Sequence, residues 1–489
     1  MRLGMIFTLE DQLLFAKLSG DYNPLHIEPL FARRLPYGGV VVHGIAALLW
    51  ALDEWLSPQT GFLELVSLKV NFRKPIVINQ NIHWRVTRSD DTSVSIVLEA
   101  DGANHVEIKA AFLIKIDKHI SNKLPSSQKD EIALPRGDAP EPLWGFAMTA
   151  WGLSSDDREC RVVTKEEIVN CSGNIELYLD YALYEELFPN LYQKASDIQA
   201  AQIIATSRLV GMRCPGYHSL YSGCELSFSE TTAAAAETLS YRVTGYDKNF
   251  SRCKIFLEGS GVSGTLIAFY RPESYQQPDV AGVVSPDEFK DQRALIIGGS
   301  RGLGEVTAKI LAAGGADVQI TYHRGIEDAE RVIEKIATGR AVQFDVLHAA
   351  FPADFAFAPT HLYYFATPAI FVGTKNVFSA GLFQRFCDYY VTGFINTVKT
   401  LLSADIPLKV FYPSSVALDE IQPNMGEYTA AKAAGESVCR FLEKTNKNLK
   451  IHAARLPRLA TDQTVDIRTN LNQDPFPFML EELKRFNRL

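Results

Sequence analysis

The chain has 489 residues, and 47% apolar with 22% charged residues is the make-up of an ordinary globular protein, which excludes disorder and collagen-like repeats. Its 49 basic and 57 acidic residues give a net charge of −8 that points away from nucleic acid, and no apolar stretch offers the ~20 uncharged residues of a membrane span. The 7 cysteines are scattered without a CxxC pair, and MRLGMIFTLEDQ has too short an apolar run for a secretory signal, so the sequence predicts reduced thiols in the cytoplasm.

Two stretches rich in Pro, Ser and charge, 117–142 and 271–290, read as linkers. They predict three domains, at 1–120, 143–272 and 287–489. The first two read as copies of one unit. Leu18-Ser19-Gly20-Asp21 resembles Cys171-Ser172-Gly173-Asn174, and Ile45-Ala46-Ala47 pairs with Ile198-Gln199-Ala200, at a shared offset of 153 residues. That offset sets Asn174 opposite Asp21 and Leu179 opposite His26, so the second copy lacks both groups. In each copy a long apolar helix, GIAALLWALDEWL or DIQAAQIIATSRLVGM, precedes strand-like runs such as VSLKVNFRKPIVI or HSLYSGCELSFSE. A helix followed by antiparallel strands predicts one helix wrapped by a curved sheet.

The third block alternates strand and helix patterns. RALIIGG, DVQITYH, RAVQFDV, HLYYFAT, LKVFYPS and LKIHAARL are its strands, with helical runs such as GEVTAKILAAGG between most of them. That rhythm predicts an α/β doubly wound parallel sheet, Rossmann-like.

Asp21 and His26 flank an Asn-Pro pair that favours a turn, which brings a carboxylate and an imidazole into one pocket. Such a pair suits adding or removing water next to a carbonyl, and the Gly44 N–H at a helix start supplies an oxyanion donor. Taken alone, the pair reads more simply as a capped turn with a core histidine. The wider pattern SGDYNPLH, GGVVVHG and NFRKPI, within residues 5–116, resembles the MaoC-like (R)-specific enoyl hydratases and dehydratases of the hotdog fold. The resemblance implies an α+β double hotdog with one active half. It assigns Asp21 and His26 as catalytic residues and Gly44 as the oxyanion amide. It also implies an acyl thioester substrate on coenzyme A or an acyl carrier protein, and no metal. The second copy then serves as packing support or holds the acyl tail.

In LIIGGSRGLG, Gly298, Gly302 and Gly304 join a strand to a helix and let a pyrophosphate approach the helix N-terminus. At the end of the next strand, where an acidic residue would bind a 2′-hydroxyl, stand His323 and Arg324. With Arg301 they predict a 2′-phosphate and hence NADP(H). Tyr428 and Lys432 lie one helical turn apart, and the lysine charge is expected to lower the phenol's pKa. Ser415 precedes Tyr428 just after an apolar strand.

Together these motifs resemble the short-chain dehydrogenase/reductases over residues 291–465. The resemblance makes Ser415, Tyr428 and Lys432 catalytic. It adds Ser300, Leu303, Asp345, Val346 and Ala366 to the cofactor site and places Thr461-Asp462 near the nicotinamide. The family's Thr before the first glycine is Ile297 here, its Asn-Asn-Ala-Gly is Phe365-Ala366-Thr367, and its relay Asn is Tyr390. Little chain remains after Arg455 for the usual lid and last strand. Both families commonly form dimers, which makes a homodimer the expectation. The combination predicts a 3-oxoacyl thioester reductase joined to an (R)-3-hydroxyacyl dehydratase in fatty acyl or polyketide-type biosynthesis. The alternative is a hotdog dehydratase carrying an inactive nucleotide-binding block.

Overall fold

The structure is a computed structural model that describes residues 4–115, 159–229, 238–273, 275–280, 282–337, 339–348, 351–353, 355–402, 406–464 and 472–489. The linker expected at 117–142 lies outside the described residues. Contacts divide the chain into two compact units, Met1–Ala32 with Gly39–Glu273, and Arg33–Gly38 with Ser274–Leu489. Both repeats fall within the first unit.

That unit begins with β1 (Met5–Ile6) and α1 (Leu9–Ser19), which is opened by a reciprocal capping box between Thr8 and Asp11. The central helix α2 (Gly44–Leu56) is buried on nearly every side, as a helix without a polar face must be. Four strands follow: β2 (Phe62–Phe72), β3 (Asn81–Asp90), β4 (Ser93–Ala100) and β5 (Ala103–Lys115). The second repeat has β6 (Ser172–Glu176), the central helix α3 (Asp197–Arg208), β7 (Ser219–Phe228), β8 (Thr238–Asp247), β9 (Arg252–Gly259) and β10 (Val262–Tyr270).

All ten strands form one antiparallel sheet in the order β1-β3-β4-β5-β2-β7-β10-β9-β8-β6. The order is a palindrome about the β2–β7 seam, where Lys69 pairs with Glu225 and Val70 with Cys224. Each repeat therefore contributes one half-sheet around one apolar helix, the hotdog arrangement, and a single apolar core runs through both.

The palindrome corrects the alignment read from the sequence. Asn174 lies on β6, paired with Ser240 of β8, so its counterpart is β1, which pairs with β3. It is not opposite Asp21, and Leu179 is not opposite His26. The first repeat spends residues 7–43 between β1 and α2, whereas the second spends only 177–196 between β6 and α3. The shorter connection has no equivalent of the segment that carries Asp21 and His26. The shared offset holds for the central helices and fails before them.

The second unit is a parallel sheet. Its strands are β11 (Arg293–Ile297), β12 (Asp317–Tyr322), β13 (Ala341–Gln343), β14 (His361–Tyr364), β15 (Leu408–Ser415) and β16 (Leu449–Leu456), in the order β13-β12-β11-β14-β15-β16. Consecutive β11 residues point to opposite faces, Ala294 and Ile296 into one core, Leu295 and Ile297 into the other. Helices cover both: α4 (Gly302–Ala313) and α5 (Ile326–Ile336) on the first face; α7 (Phe394–Leu401) and α8 (Gly426–Thr445) on the second, with α6 (Ala380–Cys387) packed on α8 through Phe386. A last helix, α9 (Pro475–Asn487), buries Met479, Leu483 and Phe486 in the first core. Strand order reverses between β11 and β14, and the crevice at their carboxyl ends is the usual ligand position of a doubly wound sheet. No helix of the described residues is long and apolar enough to cross a membrane.

Candidate active sites

In the first unit, α1 ends at Ser19, whose hydroxyl accepts the Asp21 N–H (3.1 Å). Asn23 caps a short helical turn, Pro24–Ile27, by accepting the Leu25 N–H (3.1 Å), so the Asn-Pro turn forms as expected. The Asn23 amide also donates to the carbonyls of Gly211 (3.0 Å) and Gly216 (3.1 Å) in the second repeat. These bonds carry Asp21 and His26 into one pocket.

The Asp21 carboxylate is buried, with Oδ2 accepting the Ser207 hydroxyl at 2.7 Å. Burial pushes its pKa up, against the pull of His26 and Ser207. His26 shifts the other way: burial lowers it, while the Asp21 charge and the Val41 carbonyl oppose. The 2.6 Å contact from His26 Nδ1 to the Val41 carbonyl oxygen fixes the proton on Nδ1 and leaves Nε2 as the base. Both shifts run towards the neutral forms.

His43 completes the arrangement. Its ring stacks on His26 with centroids 4.0 Å apart, and its nitrogens face Gln12 Oε1 and the Asp21 carbonyl, each at 3.0 Å. Ligand atoms of Asp21, His26 and His43 all lie within 4.8 Å of one another. The next residue, Gly44, is the first of α2, so its N–H has no partner within the helix. A Cβ there would sit 2.8 Å from the Phe72 ring, so a side chain at this position would crowd that ring. Sequence reasoning found Asp21, His26 and Gly44 but missed Gln12, His43, Ser207 and Gly211. The position of His43 just before Gly44 was a usable signal. Nothing local marks Ser207, which is 186 residues from Asp21.

In the second unit, every residue assigned from sequence to the nucleotide and reductase sites lines one cavity of about 720 Å³. Gly298 sits at φ +76°, and a Cβ on Gly304 would fall 2.1 Å from the Gly298 carbonyl oxygen. That close approach brings strand end and helix start together, the cradle a pyrophosphate requires. Ile297 brings no hydroxyl to this loop; Thr321 supplies one by accepting the Gly298 N–H at 3.1 Å. Ser300, Leu303, Val346 and Ala366 line the same cavity. Asp345 accepts the Leu347 N–H (2.9 Å) and His348 Nδ1 (2.8 Å). Arg324 is exposed at the end of β12. Arg301, expected to face a 2′-phosphate, instead turns its guanidinium onto the Asp462 carboxylate. Asp462 and Thr461 thus sit beside the glycine loop, and His323 and Arg324 line the same cavity.

Ser415 ends β15 and hydrogen-bonds Tyr428, while Lys432 donates to the Pro413 carbonyl at 2.6 Å. The expected tuning of Tyr428 by Lys432 does not hold. Burial pushes the phenol up to about 12, and only the Ser415 hydrogen bond opposes it. Burial likewise pushes Lys432 down to about 7, with Cys439 and Glu436 opposing. The ammonium lies 5.9 Å from the Tyr428 ring centre, and desolvation outweighs its charge.

Comparison with known proteins gives two independent likenesses. Residues 2–107 match the model of the MaoC like domain. A 3-hydroxybutyryl-CoA dehydratase of Methylorubrum extorquens is 35% identical over 16% of this chain and 49% of its own length. An (R)-specific enoyl-CoA hydratase of Aeromonas caviae is 31% identical over 17% and 61%. The chain thus spans about half the length of the curated relatives it matches. Among solved structures, an alcohol dehydrogenase from Thermococcus sibiricus complexed with 5-hydroxy-NADP is similar at 17% identity and a TM-score of 0.35, over 40% of this chain and 90% of that one. The N-terminal region carries a MaoC-like domain with hydratase and dehydratase homologues. A short-chain dehydrogenase/reductase of Serratia marcescens is likewise similar, at 17% identity and a TM-score of 0.36, over 40% of this chain and 91% of that one.

Two outcomes test the sites. A Cβ at position 211 would lie 2.0 Å from Asp21 Oδ1, so Gly211→Ala should displace the carboxylate and lower enoyl-thioester hydration at least ~100-fold in a spectrophotometric assay. For the nucleotide, calorimetry should show Arg301→Ala weakening NADH and NADPH alike, because it unpairs Asp462. Arg324→Asp should weaken NADPH alone.

Proposed function

We propose that the chain is a bifunctional enzyme that reduces a 3-oxoacyl thioester and dehydrates the resulting (R)-3-hydroxyacyl thioester to the 2-enoyl product. The observation that carries the dehydratase half is the buried Asp21 beside the half-buried His26, with opposite pKa shifts, at the start of α2. His26 Nε2 takes the C2 proton, the Gly44 N–H holds the thioester oxygen as it gains charge, and protonated Asp21 gives its proton to the departing hydroxyl. The proton on His26 then returns to Asp21. The dehydratase and hydratase relatives support acyl thioesters, on coenzyme A or an acyl carrier protein, as the substrate class.

The glycine cradle and the Arg324 position fit NADP(H), which when bound supplies or accepts a hydride. Tyr428 gives its proton to the reacting carbonyl oxygen, and Ser415 orients that oxygen by a hydrogen bond. Lys432, one helical turn from Tyr428, is held on the Pro413 carbonyl beside it. Joining both sites in one chain raises the effective concentration of the shared hydroxyacyl intermediate. A preference for NADP(H) leans towards reduction, because NADPH usually serves biosynthesis.

Mass spectrometry of products from 3-oxoacyl and 3-hydroxyacyl thioesters, with and without NADPH, tests the reading. Asp21→Asn and His26→Ala should each lower hydration at least ~100-fold and leave reduction intact. Tyr428→Phe should abolish reduction and leave both hydration and NADPH binding intact. Binding of NADPH with no reduction of any 3-oxoacyl thioester by the wild type would leave only the dehydratase.

A further inference from the structure

Tyr390 stands in a π-helical turn, Asp388–Gly393, between α6 and α7. Its hydroxyl is committed away from the reductase triad. Thr367 donates to the Pro368 carbonyl (3.0 Å), so in the 2.5 Å contact between Thr367 and Tyr390 the phenol is the donor. Its ring, by contrast, lies against two members of the triad, Lys432 and Tyr428. The Lys432 ammonium lies 3.8 Å from the Tyr390 ring centroid, nearer than to the rings of Tyr412 (5.1 Å) or Tyr428 (5.9 Å). The same ring meets Tyr428 edge-on at 5.7 Å and stacks on Phe386 at 5.8 Å. The wider turn leaves the Tyr390 carbonyl open to accept the Tyr412 hydroxyl at 3.1 Å, which fixes the backbone behind the ring.

We propose that Tyr390 is a positioning residue of the reductase, whose ring face clamps the Lys432 ammonium against the Pro413 carbonyl and braces Tyr428. The claim rests on the reductase reading of this site. An aromatic face attracts an ammonium through its negative quadrupole, more strongly where water is excluded, and Lys432 and Tyr390 are both buried. The contact favours the charged lysine and so works with Glu436 and Cys439 against the burial that lowers Lys432. Three rings surround the ammonium, those of Tyr390, Tyr412 and Tyr428. Arg455 acts only at one remove, paired with Glu436. This geometry gives the phenol no direct place in a proton relay, because its hydroxyl points to Thr367. A swap to asparagine at position 390 therefore removes the clamp.

The test is the titration of Lys432 by NMR of the full chain carrying ¹³C-labelled lysine, its signal assigned by loss in Lys432→Met. Tyr390→Phe keeps the ring face and should leave the midpoint in place. Phenylalanine analogues bearing successively more fluorine at position 390 keep the shape but drain the face. They should lower the midpoint progressively, by about one pH unit in total. A flat fluorine series overturns the proposal, and so does a Tyr390→Phe shift as large as the whole series. The titration needs neither cofactor nor turnover. If the wild type reduces no 3-oxoacyl thioester while the fluorine series shifts the midpoint, the reductase reading fails and the clamp stands.

Discussion

Removing ionisable groups from water is the constraint on which both sites depend. In each, the side chains proposed to carry the chemistry are shifted more by burial than by their neighbours' charges. Asp21 is raised and His26 lowered although each pulls the other back. Tyr428 is raised and Lys432 lowered although they share one helix face. The outcome suits the first site, where a neutral acid and a neutral base are wanted together. In the second it leaves the tyrosine as a proton donor and makes holding the lysine's charge the harder task. The Pro413 carbonyl, Glu436 and the ring of Tyr390 share that task.

The duplicated hotdog gives the first site its dry wall. The second repeat has no dyad, yet it is more than ballast. Its central helix ends at Arg208 and passes directly into a π-helical turn, Leu209–Arg213. Ser207 from that helix holds the Asp21 carboxylate, and Gly211 from that turn leaves it room. Asn23 ties the dyad segment to the Gly211 carbonyl of that turn and to the Gly216 carbonyl just beyond it. The active half therefore depends on the other half for the position and environment of its acid. An unpaired copy would leave that acid open to water and return it towards an ordinary carboxyl.

Most of the architecture was legible in the sequence because it follows from periodicity. The parallel strands of the second unit, the antiparallel runs of the first and both apolar helices appear as regular patterns. The turn that holds Asp21 and His26, the helix start at Gly44 and the glycine loop were legible because each motif is local. What was not legible is set by pairing across long separations. The register that moves Asn174 onto β6 comes from its pairing with β8, and a sequence offset cannot show that. Ser207 and Asp462 matter because of residues far from them in the chain. The failed tuning of Tyr428 has the same origin, since spacing on a helix reports proximity but not desolvation.

The protonation state of Asp21 decides the central claim, that burial in a wall built by both repeats makes this carboxyl an acid. Difference infrared spectra, wild type minus Asp21→Asn, isolate its carboxylic-acid carbonyl band as pH is raised. The account predicts a band that persists above the pH at which an exposed aspartic acid has ionised. A band lost within the ordinary aspartate range would contradict it.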